Sequence, residues 1–202
     1  MMKRLIRKLR QNATRAWLAT RTELRKHFGS ADYGRWSDRI SLSPNWNPRT
    51  NRIAEMIPSG VSVLEFGCGS MVLKEYLPAG CTYTGSDLVD RGEGTIVCDL
   101  NGPKLPSFAH HRCAVFSGVI EYINDTESVI SHIGQFVDTI IASYVTLECV
   151  PERLSRRSAG WVNDFTYEEF VELFSRCGFR LDSEENWSEQ KIFCFSKAPP
   201  PG

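Results

Sequence analysis

The sequence lacks an apolar run long enough to cross a bilayer, because a membrane-spanning helix needs roughly 20 consecutive apolar residues. Its longer apolar runs, such as residues 139–145, have the length of a strand. It also lacks a net charge, since 24 Lys and Arg residues balance 24 Asp and Glu residues over 202 positions. This balance argues against general binding to nucleic acid, and we expect no nucleic-acid partner.

Metal-ligand spacing is lacking as well. Seven cysteines lie at irregular distances, without a Cys-x-x-Cys pair and without histidine at zinc-ligand spacing. Several of them, such as Cys98 and Cys194, lie inside apolar runs, as buried thiols do in a reducing compartment. The sequence therefore predicts no metal site, and it predicts a cytoplasmic location.

The balanced charge hides a strongly basic N-terminal segment. Residues 1–30 contain nine Lys and Arg residues and one acid, Glu23, so their net charge is +8 and that of the remaining residues is −8. At about 100° per residue, the apolar side chains of residues 3–28 fall on one stripe, from which Leu18 departs. The pattern predicts a basic amphipathic helix over residues 1–30. The stripe consists of Leu5, Ile6, Leu9, Ala13, Ala16, Trp17, Leu24 and Phe28.

Three interpretations of residues 3–28 remain open. The helix contacts an anionic membrane surface from the cytoplasmic side, through side chains such as Leu9 and Trp17. Alternatively, it packs on the acidic body of the chain or on a second copy in a homodimer. In the third interpretation, it binds an anionic acceptor.

The rest of the chain divides by pattern into three parts. Residues 31–48 read as a loop or lid segment rich in turn formers and aromatic side chains. Strands and helices alternate over residues 49–197, which implies a mostly parallel sheet covered on both faces and closed by an antiparallel hairpin. Residues 198–202 read as a disordered tail.

A glycine turn between a strand and a helix carries the clearest functional signal. Gly67 permits the tight turn, and Gly69 lets the backbone approach a ligand because no Cβ stands in the way. Asp87 follows the second strand, where a carboxylate accepts both hydroxyls of a ribose, and Asp99 follows the third, beside an adenine. Ligands of such sheets bind at the carboxyl ends of the strands, which is where these residues fall.

The charge of the residues around the glycine turn indicates which nucleotide cofactor binds there. A dinucleotide fingerprint continues to a third glycine, but Val72 occupies that position. Glu65 would also place a negative charge beside a pyrophosphate, whereas it suits a ligand with a sulfonium and an ammonium group. The residues therefore favour S-adenosylmethionine over NAD.

These segments resemble the class I S-adenosylmethionine-dependent methyltransferases. Glu-Phe-Gly-Cys-Gly at residues 65–69 is similar to the first motif of that family, and Thr-Gly-Ser-Asp at 84–87 is similar to the second. Residues 98–100 and 116–122 resemble the adenine-side and fourth-strand segments. The resemblance covers residues 49–197. It implies an α/β fold, a Rossmann-like three-layer sandwich with a mostly parallel seven-stranded sheet in the order 3-2-1-4-5-7-6 and an antiparallel terminal hairpin.

The resemblance also implies S-adenosylmethionine as the cofactor. The residues expected to bind it are Glu65, Gly67, Cys68, Gly69, Asp87, Leu88, Asp99, Leu100, Ser117 and Gly118. Three departures from the family pattern stand out: Met71 replaces a third glycine, Tyr122 replaces a common histidine, and residues 88–94 are too few for the usual helix. We expect the N-terminal helix or a partner chain to cover the sheet face near that gap.

The acceptor site is expected in residues 30–48, where Tyr33, Trp36 or Trp46 walls the site, and in the loop at 146–164. The mixture of charged, amide and aromatic side chains suits a polar acceptor. We predict methyl transfer to a small-molecule or glycan-type acceptor, at oxygen. Candidates for the general base are Glu121, Tyr122, Glu148 and Asp164. The arginines of the loop have an alternative reading as a solvated helical face; they are Arg153, Arg156 and Arg157.

Two other functions remain open. In the first, the domain is a partner subunit that binds its nucleotide but catalyses no reaction. In the second, it is an NAD-dependent oxidoreductase. Cofactor binding without turnover would indicate the first, and nicotinamide binding would indicate the second.

Overall fold

Seven strands form one sheet in the computed structural model, which describes residues 2–199. The sheet order is β3-β2-β1-β4-β5-β7-β6. The strands are β1 Ser62–Phe66, β2 Thr82–Asp87, β3 Ile96–Val97, β4 His111–Ser117, β5 Val137–Tyr144, β6 Phe179–Trp187 and β7 Gln190–Lys197. Strands β1 to β5 are parallel, and β7 pairs antiparallel with both β5 and β6. This topology confirms the predicted fold.

Helices cover both faces of the sheet. They are α1 Met2–Phe28, α2 Tyr33–Trp36, α3 Asn47–Glu55, α4 Val72–Tyr76, α5 Thr126–Ile133, α6 Arg153–Ala159 and α7 Tyr167–Arg176. Short 3-10 helices lie at Arg39–Ser41, Pro44–Trp46 and Ile120–Tyr122. None of the helices within residues 2–199 combines the length and the apolar character that crossing a membrane requires.

The core lies in two layers, one on each face of the sheet. One layer packs beneath α5 and α7 and contains stacked aromatic pairs, with 4.8 Å between the rings of Phe66 and Phe116 and 4.0 Å between those of Phe174 and Phe195. The other layer packs beneath α3 and α4 around Ile53. Two-sided burial explains why the central strands read as continuous apolar runs.

Local capping contacts set the starts of two helices. The Asp125 side chain accepts a hydrogen bond from the Ser128 backbone nitrogen at the start of α5. Thr166 and Glu169 form a capping box at the start of α7, because each side chain accepts from the other residue's backbone nitrogen. These contacts satisfy donors that a helix start otherwise leaves unpaired.

The structure corrects the prediction for residues 146–164. Part of this loop forms α6, and two of its three arginines are not on a solvated face, since Arg156 and Arg157 are buried. Arg156 donates to the backbone oxygens of Val145 and Asn163, among others, and pairs with Asp164. The two side chains therefore hold the loop in place.

The segment between β2 and β3 forms turns, as its length predicts. The lid segment, rather than α1, contacts these turns: Tyr33 donates from its hydroxyl to the Leu88 oxygen, and Arg39 donates to the Arg91 oxygen. Helix α1 packs instead on α6. In the predicted tail, Ala198 donates a backbone hydrogen bond to Gly178, and residues 200–202 lie outside the described residues.

Candidate active site

The structure brings all ten predicted cofactor-binding residues to one cavity of 630 Å³. The cavity lies at the carboxyl ends of the first four strands, where open α/β sheets bind their ligands. Side chains of the lid segment and α3 close its other side. The ten residues are Glu65, Gly67, Cys68, Gly69, Asp87, Leu88, Asp99, Leu100, Ser117 and Gly118.

Two glycines of the cavity leave no room for a side chain. Gly67 has φ +66°, and a Cβ there would stand 2.6 Å from Cγ2 of Val119. Gly118 has φ +68°, and its Cβ would stand 2.6 Å from Nη1 of Arg49. Both positions combine left-handed backbone with a close approach, so any other residue there would be strained.

Two hydrogen bonds hold the Asp87 carboxylate in place at the cavity. Its Oδ2 accepts from the Gly69 backbone nitrogen at 2.8 Å, and its Oδ1 accepts from Nη2 of Arg91 at 3.1 Å. Arg91 is buried and also donates to the backbone oxygens of Trp36 and Ser37. Arg91, which the sequence analysis missed, therefore connects the lid segment to the carboxylate at the end of β2.

Two buried glutamates line the cavity. Burial raises the pKa of Glu65 to about 8, although its Oε2 accepts a hydrogen bond from the Tyr83 hydroxyl at 2.6 Å. Burial also raises the pKa of Glu121. Oε1 of Glu121 accepts from the Val145 backbone nitrogen at 3.1 Å, while its Oε2 is buried without a hydrogen-bond partner. Glu121 therefore lines the cavity with a carboxyl group whose hydrogen bonding is incomplete within residues 2–199.

Arg49 is a second residue that sequence reasoning missed. It lies on α3, is buried, and lines the cavity. Within residues 2–199, its guanidinium donates to neutral oxygens only: Oγ and the backbone oxygen of Ser117, at 3.1 and 3.0 Å, and Oε1 of Gln190 at 3.3 Å. Burial lowers its pKa. A buried cation with neutral partners makes this end of the cavity suited to an anionic group.

Asp99 and Leu100 line the far end of the cavity, beyond β3. Oδ1 of Asp99 accepts from the Asn101 backbone nitrogen at 2.8 Å, which fixes the carboxylate in a local turn. Its second oxygen remains available to a donor.

Four aromatic side chains form one wall, namely Trp36, Trp46, Tyr122 and Trp161. The Trp36 ring stands 4.9 Å from that of Tyr122 and 6.1 Å from that of Trp46. The Trp161 indole nitrogen donates to the Tyr122 hydroxyl at 3.3 Å. Burial raises the pKa of Tyr122 to about 12, so its phenol is neutral near pH 7. Trp36 and Trp46 thus fulfil the predicted position at the wall, whereas Tyr33 is half-exposed beside it.

The other two candidates for a general base do not line the cavity. Glu148 accepts from the Tyr167 backbone nitrogen at 3.1 Å, at the start of α7. Burial alone would raise the pKa of Asp164, but pairing with Arg157 and Arg156 lowers it. Both carboxylates make structural contacts away from the cavity. Of the four predicted candidates for the general base, only Glu121 and Tyr122 line the cavity. Within residues 2–199, no group of three or more metal-ligating side chains comes together.

Comparison with protein families matches residues 36–184 to a family model described as a methyltransferase domain. No curated protein sequence matched the chain. The family match spans the lid segment, the glycine turn and the strands that carry the cavity.

Solved structures show the same fold. An N1-methyltransferase of 1,6-didemethyltoxoflavin from Burkholderia thailandensis, with S-adenosylhomocysteine bound, has a TM-score of 0.60 at 16% identity, over 91% of this chain and 88% of that one. A putative O-methyltransferase from Nostoc punctiforme has a TM-score of 0.66 at 13% identity, over 89% and 69%. An O-methyltransferase from neocarzinostatin biosynthesis, in complex with S-adenosylmethionine and 2-hydroxy-5-methyl naphthoic acid, has a TM-score of 0.59 at 15% identity, over 84% and 62%.

Proposed function

Because this chain belongs to the class I S-adenosylmethionine-dependent methyltransferases, we propose that it methylates a small-molecule or glycan-type acceptor at oxygen. The observation that carries the proposal is the convergence of the glycine turn, Asp87 and the buried Glu65 on one cavity. Methyl transfer to oxygen occurs among the fold neighbours, one of which is an O-methyltransferase in complex with S-adenosylmethionine, while another neighbour is an N1-methyltransferase.

The charges of the cavity fit the amino-acid end of S-adenosylmethionine. Arg49 has no charged hydrogen-bond partner and is placed to bind the carboxylate, while Glu65 is placed to bind the ammonium group. Gly118 would admit no side chain without displacing the guanidinium of Arg49. The cavity therefore offers a guanidinium and a carboxyl group to the two charged groups of an α-amino acid.

The nucleoside end is matched by carboxylates on neighbouring strand ends. Asp87 would accept the ribose hydroxyls in place of its contact with Arg91, and Asp99 would face the adenine edge. Cys98 and Leu100 line the cavity and would supply apolar surface to the adenine. The Gly69 backbone nitrogen keeps Asp87 oriented throughout.

When bound, the cofactor supplies a methyl group on a sulfonium, an already activated leaving group. The residues of this chain then align the acceptor and exclude water, because correct placement is most of the catalytic work in such a displacement. The aromatic wall at Trp36 and Trp161 offers flat surface to a ring of the acceptor. Glu121 lines the cavity and its Oε2 has no hydrogen-bond partner within residues 2–199, so its ionised carboxylate would serve as the base that takes the proton of the acceptor hydroxyl.

Free thiols support the proposed cytoplasmic location. The seven cysteines are unpaired within residues 2–199, and four of them are at least partly exposed. Such thiols persist in a reducing compartment.

Transfer of a radiolabelled methyl group tests the function. The full chain would be incubated with methyl-labelled S-adenosylmethionine and a panel of hydroxylated aromatic compounds and sugars. We expect labelled product with at least one acceptor class, and a loss of about 100-fold in kcat for Glu121→Gln. Glu148→Gln, which alters a carboxylate outside the cavity, is the matched control and should keep its activity. Cofactor binding without transfer to any acceptor would instead indicate a non-catalytic partner subunit.

A further inference from the structure

Helix α1 contacts the body of the protein through its polar face. Ala19 and Thr22 are buried against α6, and Glu23 pairs with Arg157 at 2.9 Å and with Arg153 at 2.8 Å. Leu18, which departs from the apolar stripe, is half-buried on this side. The contact is thus built mainly from small and charged groups rather than from the apolar stripe.

The apolar stripe of α1 faces solvent. At about 100° per residue, its centre lies about 120° from the centre of the face that contacts α6. Trp17 is 58% exposed and Phe28 is 74% exposed. Among residues whose side chains the structure describes, the exposed large apolar groups on α1 are Met2, Ile6, Leu9, Trp17, Leu24 and Phe28. A continuous exposed stripe of this kind marks an interaction surface.

Basic side chains flank the stripe. Arg10 and Arg21 are exposed beside it, and the Arg21 guanidinium lies 4.8 Å from the Trp17 ring. The described side chains between positions 6 and 17 are all exposed, so this half of the helix extends about 18 Å along its axis with its surface open to solvent. The apolar groups and the cations therefore share one accessible surface.

We propose that α1 lies in the interface of an anionic lipid bilayer, with its apolar stripe in the acyl region and its arginines at the headgroups. An amphipathic helix with a basic polar face and Trp, Phe and Leu on the other fits this environment. Each basic residue near an anionic leaflet adds attraction, and residues 1–30 carry a net charge of +8. A second copy fits less well, because two such helices side by side would repel each other.

Vesicle flotation with the full chain tests the proposal. The protein would be mixed with phosphatidylcholine vesicles that contain about 30 mol% phosphatidylserine, or none, at low and high salt. The variant Leu9→Glu/Trp17→Glu places two charges in the stripe. Its matched control, Gln11→Glu/Thr14→Glu, makes the same change in net charge on the exposed polar side of the same helix. Analytical ultracentrifugation without lipid would give the oligomeric state.

We expect binding to the anionic vesicles, weakened by salt, and at least about tenfold weaker binding by the stripe variant than by its control. All variants should show the circular dichroism of the wild-type fold. Equal binding by the two variants would overturn the role of the stripe. Absence of flotation with anionic vesicles would overturn the proposal, as would a stable dimer that only the stripe variant dissociates.

Discussion

At the scale of single residues, two buried titratable side chains, Arg49 and Glu65, set the polarity of the cavity. Arg49 donates to neutral oxygens, and Glu65 accepts from a neutral phenol. When an α-amino acid group binds, its carboxylate offsets the cost of keeping the Arg49 charge out of water, and its ammonium group favours the ionised form of Glu65, which the free protein keeps protonated below about pH 8. Cofactor affinity should therefore depend on these two side chains more than on exposed charges nearby.

Arg49→Met should weaken binding of S-adenosylmethionine by about tenfold to hundredfold, because a charge-assisted hydrogen bond contributes about 1.5–3 kcal/mol. Binding of 5′-methylthioadenosine, which lacks the amino-acid group, should change little. Isothermal titration calorimetry measures both affinities. The control Arg52→Met removes an exposed arginine from the same helix and should bind both ligands like the wild type. Equal losses for the two ligands would contradict a contact with the carboxylate.

The raised pKa of Glu65 predicts the sign of a pH effect on stability. Between the usual pKa of 4.5 and about 8, the native state keeps this proton while the unfolded state has lost it. The free energy of unfolding should therefore fall as pH rises through this window, by up to about 1.4 kcal/mol per pH unit from this group. Urea unfolding at several pH values measures the slope.

Glu65→Gln should remove that contribution and flatten the slope, whereas the exposed change Glu55→Gln should leave it as in the wild type. Because Glu121 has a pKa shifted in the same direction, part of the slope remains in the Glu65 variant. Identical slopes for wild type and Glu65→Gln would show that the carboxyl is not held protonated in the native state.

The residues that the sequence predicted are those with a local signal. Gly67 and Gly69 follow a strand directly, and Asp87 follows the next strand at the spacing of the resembling family. Arg49 has no such signal, because its partner Ser117 lies 68 residues away along the chain. Arg91 lies only four residues after Asp87, so an arginine at that distance in a glycine-rich turn was a usable signal.

At the scale of elements, α6 shows how a short helix is held by one buried side chain. Arg156 is fully buried and donates to backbone oxygens on both sides of the helix, as well as to Asp164. The helix has seven residues, too few for an apolar period to be visible in the sequence. Helices α5 and α7 were predictable because their capping residues are local, whereas α6 depends on distant contacts.

Arg156→Met should lower the free energy of unfolding by at least about 2 kcal/mol, because several buried oxygens lose their donor. The partial exposure of Asp164 reduces the penalty for that carboxylate. Urea unfolding at fixed pH gives the difference. Arg153→Met, an exposed position on the same helix, should be nearly neutral. A neutral effect of Arg156→Met would contradict the stabilising role of this network.

At the scale of the whole molecule, the cavity is assembled from segments that are far apart in sequence. The lid segment and α3 precede the sheet, the glycine turn follows its first strand, and Trp161 comes after the fifth. The strand order of the sheet could be predicted from the family resemblance. The edge of the sheet that carries the cofactor site could be predicted because the glycine turn and Asp87 directly follow predicted strands. The aromatic wall could be predicted only in part, because its packing depends on side chains from separate loops.

Titration calorimetry with S-adenosylmethionine, S-adenosylhomocysteine and NAD shows whether the cavity binds an adenosyl ligand through Asp87. We predict micromolar binding of both adenosyl ligands and a loss of more than about tenfold in Asp87→Ala, which removes the partner of the ribose hydroxyls. Asp90→Ala changes an exposed acid in the following turn and should bind like the wild type. Binding of NAD alone, or equal affinity of Asp87→Ala and wild type, would contradict the account.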